Sequence, residues 1–269
     1  MENYNYQKEE EFLRVVANAY ISLCSEELLT MVPDDFAFDT MWRYEYQITN
    51  KELYKRYIND KFAVLKSRMK YSEFAMMKDK RDGKPLLLIT NTRNPDGGQA
   101  VFVATSDKNG NIKRLDITAA DFFPMEPMSD NNTFKRTYQT LLDKQKPCWL
   151  KFKTTKGETA EYKGVIADIR SLESAWGLAF IDEIPDDFCM VYNNINYLDE
   201  IGMFTEDTRF AVDFVFVDKD NKIIKIHKNM PPLSTETVYC SGAKLVIEMK
   251  AGQCDKNNIE VNDLLEIIG

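Results

Sequence analysis

The most regular pattern in the chain is an alternation running from Phe36 to Ile48. Even positions hold Phe36, Phe38, Thr40, Trp42, Tyr44, Tyr46 and Ile48, while odd positions hold Ala37, Asp39, Met41, Arg43, Glu45 and Gln47. A period of two predicts a strand with an aromatic wall on one face and polar groups on the other. Buried tyrosines need partners for their hydroxyls, so the wall is either a packed core or the lining of a partly polar pocket. Upstream, residues 7–32 place Phe12, Val15, Val16, Ala19, Tyr20 and Leu23 at three- and four-residue steps, the spacing of an amphipathic helix. Ser25 before Glu26 and Glu27 predicts a capped second helix that stops at Pro33. Downstream, Asn50 predicts the cap of a helix over 51–70, with a stripe through Leu53, Tyr54, Tyr57, Ile58 and Phe62. Strands are then expected at 72–77, 85–92, 99–107 and 112–117, punctuated by Asn94-Pro95-Asp96-Gly97-Gly98 and Asn109-Gly110.

Residues 124–147 combine three prolines with a polar run and predict a linker, with a short helix over 133–144. Beyond it the pattern changes to many short strands, expected at 149–154, 160–168, 188–192, 209–218, 223–228, 244–250 and 264–268. Turns every ten residues or so favour a sandwich or barrel. The expected fold class is α+β: a cone-like N-terminal domain (1–123) of helices on a curved antiparallel sheet, the linker 124–147, and a mostly-β, jelly-roll-like domain (148–269).

Composition narrows the function classes. The 269 residues suffice for two cores, and 35 basic against 43 acidic residues give a net charge of −8. Most of the acidic excess falls after residue 123, and no basic stripe occurs in either half, which argues against a nucleic-acid partner. No apolar run approaches the 18–20 or so residues of a membrane span, so no membrane partner is expected. The opening MENYNYQKEEEFL lacks the apolar core of a signal peptide. Five widely spaced cysteines without a C-x-x-C predict reduced thiols and a cytoplasmic location rather than a disulfide scaffold or structural zinc. Neither a G-x-G-x-x-G nor a Walker pattern is present, and no cofactor is expected.

Candidate chemistry gathers around His227, the only histidine. Lys225 and His227 share a face of their strand, as do Val246, Glu248 and Lys250 of theirs. Were those strands adjacent, Glu248 would meet His227 and raise its pKa. Asp213 interrupts a doubly apolar strand, and a carboxylate buried there needs donors, for which Arg209 and the backbone of the Met230-Pro231-Pro232 loop are candidates. Each residue also has a plainer reading: a surface histidine, an aspartate holding loop amides, and a rigid proline loop. Catalysis would rest on His227 with Asp213 or Glu248; Ser234 and Ser241, the candidate nucleophiles, have no motif around them. The same three residues as metal ligands would suit a hard or borderline cation, without diagnostic spacing.

Two resemblances extend this reading. The order of elements over residues 8–123, with the phrases FAFDTMWRYEYQITNKELYKRYINDKF and GNIKRLDI, resembles the cone-shaped family of nuclear transport factor 2, ketosteroid isomerase and the SnoaL-like proteins. The resemblance implies a curved sheet wrapped round a helix, an open-ended pocket, and a family mixing enzymes with binding and oligomerising modules. No position here matches the isomerases' catalytic pair; Asp39 falls on the outward face of its strand. Residues 149–269 resemble the domain of unknown function 192, through ADIRSLESAWGLAFIDEIPDDFCMVY, DTRFAVDFVFVDKDNKIIKIHKNMPPLS and AKLVIEMKAGQCDKNNIEVNDLLEI in that order. This implies a compact jelly-roll-like β structure with no established activity. Where members of that family show Trp-Met-Lys-Asn-Thr, this chain has Phe204-Thr205-Glu206-Asp207-Thr208.

The leading expectation is non-catalytic binding of a small molecule or a protein partner, with Trp42, Tyr44, Tyr46, Arg209 and Asn229 as ligand contacts. A hydrolase or isomerase using His227 is the alternative. A homodimer assembled through the N-terminal domain is the third reading.

Overall fold

The computed structural model describes residues 6–40, 48–68, 70–90, 99–128, 133–143, 145–159, 161–171, 176–194 and 198–268. Contacts divide the chain into two compact units, Met1–Arg136 and Thr137–Gly269. Among the described residues, no helix is long and apolar enough to cross a membrane.

In the first unit, helices α1 (Gln7–Ser22) and α2 (Glu26–Met31) precede strand β1 (Ala37–Thr40) and helix α3 (Lys51–Ser67). Strands β2 (Phe74–Asp79), β3 (Pro85–Ile89), β4 (Ala100–Ser106) and β5 (Ile112–Ala119) follow, then a 3-10 turn at Ala120–Phe122 and short strands β6 (Met125–Pro127) and β7 (Thr133–Phe134). The sheet order is β1-β5-β4-β3-β2-β6, with β7 also on β2. Its pairing is antiparallel except that β1 joins β5 in parallel, so the expected antiparallel sheet is in fact mixed. Beta6 and β7 lie in the stretch expected as a linker; Pro127 is tolerated because β6 is an edge strand, where no further donor is required.

The stripe on α1 buries Phe12, Leu13, Val16, Ala17 and Tyr20, and the Tyr20 ring meets Phe62, Phe74 and Phe102 edge-on at 5.1–5.7 Å. Phe36 and Phe38 are buried against Tyr54, with ring centroids 4.9 and 5.2 Å from it. The start of the aromatic wall is therefore core. Trp42, Tyr44 and Tyr46 lie outside the described residues. Asn50 caps α3 as its sequence predicts, its Oδ1 accepting from Leu53 N–H at 2.9 Å. Ser25 does not cap α2; its hydroxyl donates to Asn59 Oδ1 at 2.6 Å and ties α2 to α3 instead. On the sheet face away from Phe102, Leu86, Leu88, Val101, Val103 and Ala120 form a smaller cluster with Phe123 and Met125 packed against it.

The second unit opens with helix α4 (Tyr138–Leu142) and strands β8 (Lys146–Thr154), β9 (Gly157–Glu158), β10 (Tyr162–Asp168), β11 (Phe188–Asn193) and β12 (Glu200–Met203). It continues through β13 (Val212–Val217), β14 (Ile223–Met230), β15 (Val238–Ser241), β16 (Leu245–Lys250), helix α5 (Gln253–Lys256) and β17 (Leu264–Ile267). Strands order as β14-β13-β16-β11-β10-β8-β17, with β9 on β8, and β12 pairs β15 in a separate ribbon. A bridge between Lys222 and Leu264 joins the two ends of the large sheet and curls it into a half-barrel. Along its central strands β11, β13 and β16 both faces are buried. Met190, Tyr192, Phe214, Phe216 and Val246 pack on one side. Cys189, Val191, Val215, Val217, Ile247 and Met249 pack on the other. That is why β11, β13 and β16 read as nearly continuous apolar runs.

One close approach sits at Gly164, between β8 and β11: a Cβ there would lie 2.3 Å from the Cys189 carbonyl oxygen and 2.6 Å from its sulfur. Gly164→Ala is expected to cost about 1–3 kcal/mol in urea unfolding, the usual penalty for overpacking a filled core; an unchanged midpoint would show that the strands relax freely. Near α5, the exposed Asp186 carboxylate accepts from Lys250 Nζ at 2.9 Å and from Lys256 Nζ at 3.1 Å. These hydrogen bonds and charges hold its pKa down at about 2. A folded value below the unfolded one gives stability that is present above the ordinary carboxylate range and lost as pH falls towards 2. In a carbon-detected NMR titration the Asp186 carboxyl should titrate near 2, and return towards its ordinary value in Lys250→Met, Lys256→Met protein.

Candidate functional site

The charged end of the first unit's sheet supplies a cavity. Asp39 on β1 stands directly opposite Asp116 on β5, and Asp116 opposite Val103 on β4, so the three share a row on the face away from the helices. Like charges placed opposite each other across strands repel. Arg114, two residues before Asp116 and thus on the same face, offsets that repulsion. Its Nε donates to the two Asp116 oxygens at 2.9 and 2.8 Å, and its Nη2 lies 3.3 Å from Asp39 Oδ2. The hydrogen bond to Asp116, with the charge of both carboxylates, pushes the guanidinium pKa up. Asp39 also accepts from the Thr40 backbone N–H at 2.7 Å. Asp39, Asp116 and Thr118 line a cavity of about 310 Å³ whose remaining wall is Val103, Ile117 and Phe123. Among the described residues, two carboxylates against one guanidinium give this mouth a net negative charge. Asp39 does face away from the helices, as the alternation predicts. Asp116 and Arg114 were not singled out from sequence, although Arg114, Asp116 and Thr118 at alternate positions of β5 carry the signal of a polar face.

The second unit does not gather its candidates at one point. Beta13 lies between β14 and β16, with Phe214 paired to His227 on one side and to Glu248 on the other. His227 and Glu248 are thus separated by two strand spacings, about 9–10 Å, and the expected meeting is corrected: the Phe214 strand fills the gap. Glu248, 2% exposed, accepts from the Tyr192 hydroxyl at 2.5 Å. His227 is half-buried, its ring 6.5 Å from that of Phe214.

Asp213 neighbours Phe214 and so projects to the opposite face, where it is fully buried. Its donors are the backbone N–H groups of Asn229 (2.9 Å) and Cys254 (3.0 Å). Arg209 does not serve it; that guanidinium holds Asp182 at 2.7 Å. Asn229 contributes its backbone from a left-handed conformation (φ 55°), a geometry asparagine tolerates better than most residues. Burial, followed by the neighbouring Asp213 carboxylate, pushes the Cys254 thiol well up. The proline loop is tied down by Thr205 Oγ1 donating to the Pro231 carbonyl at 2.6 Å and Leu233 N–H donating to the Thr208 carbonyl at 3.0 Å. Among the described residues, no group of three or more His, Cys, Asp or Glu side chains is arranged to hold a metal ion.

No curated protein matches the chain. A candidate transcription regulator from Sinorhizobium meliloti 1021 is 22% identical over 46% of this chain and 95% of its own, with a TM-score of 0.43. A protein of unknown function from Novosphingobium aromaticivorans DSM 12444 is 23% identical over 44% of this chain and 83% of its own, with a TM-score of 0.42. The epoxide hydrolase/cyclase-like enzyme SalBIII, of pyran ring formation in the polyether salinomycin, is 14% identical over 45% of this chain and 94% of its own, with a TM-score of 0.28. Residues 152–267 match the model of the DUF192 family, described as uncharacterized ACR, and the C-terminal half of this chain resembles that family.

Proposed function

We propose that the protein is a non-catalytic binding protein whose first unit takes a small organic cation with an apolar body. The observation that carries this reading is the facing pair Asp39 and Asp116 at the mouth of the cavity of about 310 Å³. Ligand sites begin at about that size, and combine an apolar wall with a few convergent polar groups. An ammonium or guanidinium ligand gains from two carboxylates that, among the described residues, a single arginine only half neutralises, while Val103 and Phe123 cover its apolar part. The second unit is read as a structural or partner-binding module. Its buried acids are spent on internal hydrogen bonds, and nothing in the arrangement of His227, Asp213 and Glu248 favours the enzyme reading. Free cysteines, four of the five buried, fit a reducing cytoplasm.

Calorimetric titration with benzylamine, benzyl alcohol and benzoate tests the site. Benzylamine is expected to bind, benzoate is not, and Asp116→Asn should weaken the amine about tenfold, a loss of about 1.4 kcal/mol. Equal binding of amine and benzoate, or an unchanged affinity in Asp116→Asn, would sink the proposal. Asp213→Asn separates the two units' roles. Removing a buried charged acceptor should lower stability towards urea by about 1–3 kcal/mol and leave benzylamine affinity as it was. A matching loss of affinity would move the chemistry to the second unit.

A further inference from the structure

Three adjacent strands of the second unit carry Cys148, Gly164 and Cys189 in a single row. Cys148 on β8 pairs with Gly164 on β10, and Gly164 pairs with Cys189 on β11. Residues in one row project to one face, here the face of Leu150, Phe152, Val191 and Met249. The middle residue has no side chain, and the Cys189 sulfur lies over it, 2.6 Å from the position a Cβ on Gly164 would take. The two thiols lie close enough to act on each other's titration across the row. Both residues are buried, at 3% and 0% exposed.

Geometry decides what such a pair is suited to. A disulfide needs Cα atoms within about 7 Å, whereas two strand spacings set these apart by about 9–10 Å. A metal held between two thiolates makes a smaller demand, with two bonds of about 2.3 Å spanning about 4.6 Å from sulfur to sulfur. Zinc and the hard cations require four or more ligands, which this site does not supply. Thiolates alone select soft cations.

We propose that Cys148 and Cys189 form a two-coordinate site for a soft monovalent metal cation of the copper(I) class. Binding releases one proton from each thiol and leaves the two thiolates and the cation with one net negative charge. Lys146, two residues before Cys148 on the same face of β8, lies close enough to offset part of that charge. The neighbouring Cys189 thiol, with Lys146, holds the Cys148 thiol below its usual range, while Cys148 and burial push Cys189 up.

The test is an anaerobic titration of the reduced full-length protein with copper(I), in competition with bathocuproine disulfonate. Wild type should retain one equivalent, and Cys24→Ser, which removes the exposed thiol, should retain the same. Cys148→Ser and Cys189→Ser should each lose it, while Cys240→Ser keeps it. Retention in Cys148→Ser, or loss in Cys24→Ser, would overturn the site. X-ray absorption at the copper edge of loaded wild type keeps the proposal testable should the cysteine variants misfold. Two sulfur neighbours support it; three sulfurs, or nitrogen and oxygen ligands, refute it. A disulfide found by mass spectrometry between Cys148 and Cys189 in aerobic, metal-free protein would also refute the geometric argument.

Discussion

The second unit depends on one constraint: both faces of the central strands of its large sheet are buried. Once β13 and β16 are covered on each side, every side chain on them must be apolar or must find an internal partner. Stranding a buried carboxylate costs several kcal/mol, against about 1.5–3 kcal/mol recovered per hydrogen bond to a charged group. Asp213 and Glu248 answer that cost differently. Asp213 takes two backbone amides, from the last turn of β14 and the start of α5, and so fixes two chain segments to the centre of the sheet. Glu248 takes a tyrosine hydroxyl from the neighbouring strand. Acids committed in this way hold structure, and little is left of them for chemistry.

The first unit is under a weaker version of the same constraint. One face of its sheet is packed against helices through Tyr20, Phe74 and Phe102. The other has only a small apolar cluster, grading into Asp39, Arg114 and Asp116 at the β1 end. Facing carboxylates can persist there because they stay partly hydrated and share a guanidinium. The difference between the two units is thus one of solvent access.

Gly164 shows how a missing side chain carries information. Its neighbours across the row are both cysteines, and the space a Cβ would fill is the space that the Cys189 backbone and sulfur occupy. Nothing in the order of residues brings Cys148 and Cys189 together. The parallel pairing of β10 with β11 does so.

Periodicity along the chain was enough to fix most elements of both units, because local alternation directly reports which face of a strand or helix is buried. The Asn50 cap, the helical stripe with Tyr54 and Ile58, and the runs ending β13 and β16 all follow from it. Short elements escaped: β12 and β15 are four residues each, and β6 and β7 are held by pairing to β2 rather than by their own pattern. Of the candidate site, the face of Asp39 and the burial of Asp213 were legible, since each depends only on its own strand. Which strands lie side by side was not. That choice is made by long-range hydrogen bonding, and it separated His227 from Glu248, set Asp39 against Asp116, and seated two cysteines over a glycine. The sequence by itself determined which faces are buried; only the tertiary structure decided which residues meet, because strand order is a property of the whole sheet and of no single segment.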